Sequence, residues 1–347
     1  ASRPENWEDQ MRHVCRTLVP LIGVTAIALA CSPAGYFLPA TAVPTLTPTA
    51  TWIPTATATP TETPAPTPTV PPPTPTPSHP PTARVLVLSL DGVRPDALDP
   101  ERTPTILGLA QHGAYTWSAQ TVMPSVTLPC HASMLSGYDV PEHGLDQNGV
   151  PDDTYIRTPT LISLAHTAGL RTAMVVSVGF LSHIAVPGSL DAFEVVEGSN
   201  AQVADAAIAQ MENGFGVLFV HMVETDSYGH SDGWLSPGYL EAVARADDAV
   251  GRILDSLNQL GLADSTLVIL TSDHGGHDKT HGTSSAEDMT IPWVIAGPWV
   301  APGIEITAPV RIYDTAATAL WALGLPLPEG MAGRPIKEAF LPGGVGG

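Results

Sequence analysis

Three nearly continuous apolar runs set the frame of this chain. Arg84–Leu90, Gly216–Val223 and Ser265–Ser272 are rich in Val, Ile and Leu with little polar alternation. Such runs suit strands covered on both faces rather than half-exposed ones. Further strands are predicted at Ala114–Gln120, Arg171–Val178 and Ile291–Ala296. The stretches between them predict helices at Thr103–His112, Thr158–Ala168, Asn200–Glu212, Pro237–Leu260 and Tyr313–Leu323, and one more opening at Thr127 and closed by Gly137. Strands alternating with helices predict an α/β fold, a doubly wound, mostly parallel sheet flanked by helices. No internal repeat interrupts the order.

The three central runs end in residues that do not belong in a core. The first runs into Asp91-Gly92, the second into Asp226-Ser-Tyr-Gly-His230, the third into Asp273-His274-Gly275. Ligands of open α/β sheets gather beyond the carboxyl ends of the strands, so these side chains have a structural reason to meet. Read alone, Asp91-Gly92 is also a turn signal, and Asp226 and His230 also fit a capped loop. Adjacent Asp273 and His274 at a strand exit form the more specific pattern. Mixed carboxylate and imidazole donors suit zinc, with manganese or iron as alternatives, and argue against calcium, which prefers oxygen. Two such ions about 4 Å apart clamp the attacking and leaving oxygens of an in-line phosphoryl displacement.

A nucleophile is available in Met123-Pro-Ser-Val-Thr-Leu-Pro-Cys-His131. Thr127 opens the small-residue helix, where partial positive charge favours phosphate oxygens. Its hydroxyl pKa is too high for attack unless a cation stands beside it. Without the ligand set, the same threonine would read as an N-cap.

These residues carry a resemblance. Leu-Ser-Leu-Asp-Gly at 88–92, Thr-Leu-Pro-Cys-His at 127–131, Pro-Glu-His-Gly at 141–144, Asp-Ser-Tyr-Gly-His at 226–230, Ser-Asp-His-Gly at 272–275, and His281-Gly282 followed by Glu-Asp-Met-Thr-Ile-Pro-Trp at 287–293 resemble the type I phosphodiesterase and nucleotide pyrophosphatase family of the alkaline phosphatase superfamily. The resemblance covers Arg84 to about Pro342. It implies one metal ion held by Asp226, His230 and His281 and a second by Asp91, Asp273 and His274. It further implies attack by Thr127 to give a phospho-threonine, with the Asn148 amide on a phosphate oxygen, although Asn148-Gly149 alone is a turn signal. His281 follows His274 by seven positions, where nucleotide pyrophosphatases carry a long insertion. The expected fold is therefore an alkaline phosphatase-like core without a large cap, and nucleotide specificity is left open beside lipid head-group diesters and phosphonates.

Relatives with other chemistry fit less well. The sulfatase branch needs Cys-x-Pro-x-Arg, which Cys130-His-Ala-Ser133 does not supply. Phosphomonoesterases grip the phosphate dianion with an arginine, and none lies near Thr127 in sequence. A phosphodiesterase acting on small phosphate esters is expected, with a phosphomonoesterase or phosphonate hydrolase on the same core as the alternative. A metal-stabilised surface binding protein is the reading from another class. His131 and His143 read as structural and His221 as a satisfied core residue. His277 and Lys279, between two ligand positions, read as within reach of substrate.

The remaining sequence bears on location. Residues 1–10 read as upstream sequence, and 11–31 combine a basic start with an apolar stretch too short to span a bilayer comfortably, as a secretory signal does. The segment ends in Ala28-Leu-Ala-Cys31, which resembles a bacterial lipoprotein cleavage box, with Cys31 the expected site of lipid attachment. Residues 32–82 are expected to form a disordered stalk: of the 44 from Pro39 to Thr82, 15 are Pro and 15 are Thr. Extended as polyproline II, such a stalk would reach roughly 130 Å. Residues 83–347 remain as the catalytic domain, held outside the cytoplasm on a membrane anchor or, alternatively, secreted. The three cysteines offer no disulfide framework, and a net charge of −20 argues against nucleic acid polymers as partners.

Overall fold

The computed structural model of the chain describes residues 82–341. The expected signal segment, and all of the expected stalk except Thr82, lie outside the described residues. After its first residue β1 (Arg84–Leu90) is buried throughout, and its side chains divide by parity. Val85 and Val87 join one apolar cluster, Leu86, Leu88 and Leu90 another. Two more strands, β5 (Val217–Met222) and β6 (Thr266–Thr271), divide the same way: Val217, Phe219, Leu267 and Ile269 face the first cluster, Leu218, Val220, Val268 and Leu270 the second. An unbroken apolar run is thus what a strand with two covered faces requires.

The other strands are β2 (Ala114–Gln120), β3 (Thr172–Val176), β4 (Ala192–Val195), β7 (Thr290–Ala296) and β8 (Ile304–Glu305). They form one eight-stranded sheet in the order β4-β3-β5-β1-β6-β7-β2-β8. β4, β3, β5, β1 and β6 run parallel, whereas β7 is antiparallel to both β6 and β2. This is the mostly parallel, doubly wound sheet expected from the sequence. One face is covered by α2 (Thr127–Ser136), α4 (Leu161–Thr167) and α9 (Asp314–Ala322), the other by α1 (Pro104–His112), α5 (Asn200–Glu212) and α7 (Pro237–Gln259). Shorter helices, α3 (Val140–His143), α6 (Glu224–Asp232) and α8 (Ala286–Met289), lie in the connections.

The differences from expectation have local causes. α4 starts at Leu161 rather than Thr158, because Thr160 and Ser163 exchange side-chain and backbone hydrogen bonds as a capping box. α6 and the four-residue edge strand β4 lack a regular apolar pattern and were not expected. Gly137 ends α2 in the left-handed region, φ 79°, as expected of a helix-closing glycine.

α1 is capped from a distance. Its N-cap Thr103 makes no side-chain cap bond, and buried Asp247 of α7 accepts the N–H groups of Thr105 and Ile106 at 3.0 and 2.7 Å instead. Asp247→Ala is expected to lower unfolding free energy by about 2–4 kcal/mol, the range for losing two charge-assisted bonds to buried donors. Denaturant titration checks this, and an unshifted midpoint would mean that α1 does not depend on the contact.

Candidate active site

β1, β5 and β6 lie side by side, so the residues that follow them converge. Asp91 leaves β1, Asp226 sits in the first turn of α6 after β5, and Asp273 follows β6. Gly92 makes the approach possible. Its φ is 70°, and a Cβ there would stand 3.2 Å from the Cα and Cβ of Asp226. Its N–H donates to Asp273 Oδ1 at 3.2 Å, and its carbonyl accepts from Trp234 Nε1 and the Tyr239 hydroxyl at 2.8 and 2.9 Å.

Hydrogen-bond bookkeeping then fixes where the free lone pairs point. A backbone carbonyl only accepts, so an imidazole nitrogen bonded to one carries the proton. His274 Nδ1 donates to the Gly275 carbonyl at 2.8 Å, His230 Nδ1 to that of Lys279 at 3.0 Å, and His281 Nδ1 to that of Ser125 at 2.9 Å. Each therefore presents a bare Nε2. His274 Nε2 lies 3.4 Å from Asp91 Oδ1 and 3.3 Å from Asp273 Oδ2. All three atoms are buried without a hydrogen-bond partner. His230 Nε2 and His281 Nε2 face each other at 3.1 Å, each 3.6 Å from an oxygen of Asp226.

Lone pairs aimed at one another are repulsive, and buried acceptors without donors cost about 1–3 kcal/mol each. A cation in each cluster removes both penalties, so the donor sets fit divalent ions. Asp226, His230 and His281 form an outer group. Asp226 also reaches inward, its ligand atom lying within 4.8 Å of those of Asp91 and His274. The rings of His274 and His281 stack at 3.8 Å, joining the two groups. The outer group is the wetter one, with the His230 side chain 46% exposed against 0–1% for Asp91, Asp273 and His274.

Thr127 opens α2 and does no capping, since Val126 is the N-cap. Its hydroxyl makes no hydrogen bond among the described residues, although the residue is only 5% exposed. Two contacts seat it: the preceding segment holds His281 through the Ser125 carbonyl, and the Thr127 carbonyl accepts from His131 Nδ1 at 2.8 Å. Asn148 Oδ1 accepts the Leu128 N–H at 2.8 Å, which leaves its amide nitrogen free to donate beside Thr127. The six candidate ligands thus converge, and the segment leading into Thr127 is bonded to one of them, His281.

Two histidines read as structural do more than fill space. His221 Nε2 lies 2.9 Å from Asp91 Oδ2, and His131 bonds Ser89 through Nε2 at 2.8 Å. A lone polar residue in an apolar strand was the available signal, but its partner is 130 positions away. His277 was expected near substrate; it is tied to Asp288 at 2.7 Å, and the same carboxylate holds the N–H and hydroxyl of Thr283 at 2.8 and 2.7 Å. Lys279 donates to the Ser231 carbonyl. Burial, then the charges of Asp273 and Asp226, raise the Asp91 carboxyl well above its usual range. Burial pushes Asp273 the same way, but the surrounding imidazoles and the Gly92 N–H hold it down as the ionised member of the pair.

The sequence and the fold both have counterparts among known proteins. The family model described as type I phosphodiesterase / nucleotide pyrophosphatase matches residues 85–289. Ectonucleotide pyrophosphatase/phosphodiesterase family member 1 of Rattus norvegicus is 29% identical over 225 residues, covering 56% of this chain and 24% of that protein. Arylsulfatase K of Xenopus laevis is 35% identical over 103 residues, 28% of this chain and 19% of that one. The chain thus spans a quarter or less of the length of these relatives. Among solved structures, murine ectonucleotide pyrophosphatase/phosphodiesterase 5, in an inactive threonine-to-alanine form with AMP, superposes with TM-score 0.65 at 16% identity, covering 74% of this chain and all of that one. A phosphonate monoester hydrolase from Silicibacter pomeroyi gives TM-score 0.60 at 16% identity over 74% of this chain and 76% of that one. At such identities the superpositions speak for the fold, an alkaline phosphatase-like core.

Asp91 offers a test free of turnover. A carboxyl whose folded pKa is raised binds more protons folded than unfolded, so its contribution to stability declines as pH rises from about 4. Metal-free protein is expected to lose stability over that range, and Asp91→Asn to gain roughly 2–4 °C over it at neutral pH. Adding zinc should raise the melting temperature of the native chain by more than that of the variant, which keeps only the outer group of Asp226, His230 and His281 intact. Parallel melting curves with and without zinc would contradict the metal reading.

Proposed function

Since the chain belongs to the type I phosphodiesterase / nucleotide pyrophosphatase family, we propose that it hydrolyses small phosphate diesters by transferring the phosphoryl group to Thr127 and then to water. The observation that carries this reading is the pair of converging lone-pair clusters beside an unpartnered hydroxyl. Divalent ions held by Asp226, His230 and His281 and by Asp91, Asp273 and His274, zinc by the chemistry of the donors, would supply positive charge for the hydroxyl and the phosphoryl oxygens.

The protein's own groups supply placement. Thr127 Oγ releases its proton to solvent and forms a bond to phosphorus, while the bond to the departing alcohol breaks and that alcohol takes a proton from water. The free Asn148 amide donates to a non-bridging oxygen, and the first turn of α2 adds its dipole. Water then attacks the phospho-threonine and restores the hydroxyl. The threonine inactivated in the murine relative with bound AMP supports this role for Thr127.

Among the described residues no Lys or Arg side chain bonds Asp91, Asp226, Asp273 or Asn148, which suits a singly charged diester better than a dianion. One observation favours monoester or phosphonate hydrolysis instead. The Arg157 guanidinium has no partner among the described residues and lines a cavity of about 320 Å³ with Met123 and Asp146, which belong to the segments that carry Thr127 and Asn148 in sequence.

Comparing bis-p-nitrophenyl phosphate with p-nitrophenyl phosphate separates the readings. Diester turnover should dominate and fall at least about a thousandfold in Thr127→Ala, with Arg157→Ala changing it little. A monoester preference lost on removing Arg157 would support the second reading. We also propose that the chain works outside the cytoplasm, anchored by lipid on Cys31. A mass spectrum of the mature N-terminus should find diacylglycerol-modified Cys31, and an unmodified N-terminus would support secretion.

A further inference from the structure

We infer that His221 restricts Asp91 to a single ligand oxygen and thereby keeps one position at the inner ion free for substrate, an inference that rests on the metal reading above. The imidazole has its tautomer fixed from behind. The Ser177 N–H points at His221 Nδ1 from 3.3 Å, and a backbone N–H only donates, so Nδ1 is the acceptor and the ring proton sits on Nε2. The contact is doubled, because the Ser177 hydroxyl donates to the His221 carbonyl at 2.8 Å. Nε2–H therefore faces Asp91 Oδ2 at 2.9 Å, in a fully buried pair.

Among the described residues, His221 is the side chain whose N–H is bonded to that oxygen. His131 packs edge-on against His221 with ring centroids 4.8 Å apart. Its own proton goes to the Thr127 carbonyl, while its Nε2 accepts from Ser89. The Thr225 hydroxyl donates to the main-chain carbonyl of Asp91, not to its carboxylate. Oδ1 is left without a partner, 3.4 Å from His274 Nε2.

Asp273 is restrained in parallel. Its Oδ1 takes the Gly92 N–H, and only Oδ2 is left without a partner. His274 has one nitrogen to give. The inner cluster thus offers one atom from each of Asp91, Asp273 and His274; with the Asp226 oxygen that reaches within 4.8 Å of it assigned to the outer ion beside His230 and His281, this is the three-donor set that leaves room for a reacting oxygen. Without the His221 N–H, buried Asp91 Oδ2 would lack a donor and gain by turning toward the ion, since carboxylates bind in one- or two-oxygen modes.

The test uses the full chain loaded with cobalt(II), with inorganic phosphate as the probe. His221→Leu is expected to retain cobalt, to show weaker visible absorption as the ligand number rises, and to bind phosphate at least tenfold more weakly by calorimetry. His221→Gln, whose amide N–H can replace Nε2–H, should restore both signals to near the native values. Unchanged absorption and phosphate affinity in His221→Leu would overturn the inference, and so would loss of cobalt from that variant, which would make His221 a support for the metal itself. If His221→Leu does not fold, ¹⁵N spectra of the native imidazole decide: the Nε2–H form must persist on zinc loading, and a switched tautomer refutes the assignment. A native chain that takes up no cobalt would remove the underlying metal reading, a failure distinct from any difference between variants.

Discussion

Carboxylates crowded at the ends of neighbouring parallel strands are the condition that organises this molecule. Asp91 and Asp273 are wholly buried and Asp226 nearly so, and mutual repulsion in such surroundings is expensive. Among the described residues no lysine or arginine relieves it. The structure turns the imidazoles of His230, His274 and His281 so that each spends its proton on a backbone carbonyl and aims its lone pair at the acids, while His221 gives its proton to Asp91. The Gly275, Lys279 and Ser125 carbonyls that take those protons are as much a part of the site as the side chains they orient. The left-handed turn at Gly92, the Trp234 and Tyr239 bonds to its carbonyl, and the loop clasped by Asp288 hold those parts in register.

Much of this was legible in the sequence. The three central strands were clear because an apolar run covered on both faces has no periodicity to misread, and the polar residues after them marked the edge where ligands gather. The residue types of the site were clear for the same reason: adjacent Asp273 and His274 serve no packing purpose. Helices were located less sharply. α4 was started three residues early because the apolar pattern does not reveal that Thr160 and Ser163 close a capping box. α6 escaped notice because its polar face is the site itself, so the side chains that define a function erased the pattern that defines a helix.

The illegible remainder is relational. Nothing local to His221 says that its ring meets Asp91, and nothing local to Asn148 says that its carbonyl oxygen is taken by Leu128, leaving the nitrogen outward. Nor does the spacing of Gly275 to Met289 reveal that Asp288 gathers His277 and Thr283 and so fixes the short loop that carries His281. The reversed direction of β7 is likewise a property of the assembled sheet.

The gradient of exposure across the two clusters gives the site a temporal order. His230 stands largely in solvent, the Asp226 and His281 side chains are 12% and 9% exposed, and the ligand atoms beyond them are sealed. Exchange with the surroundings is fast where ligands can be hydrated one at a time and slow where they cannot. An ion in the outer seat would therefore exchange readily with the surroundings, whereas one in the inner seat would exchange slowly.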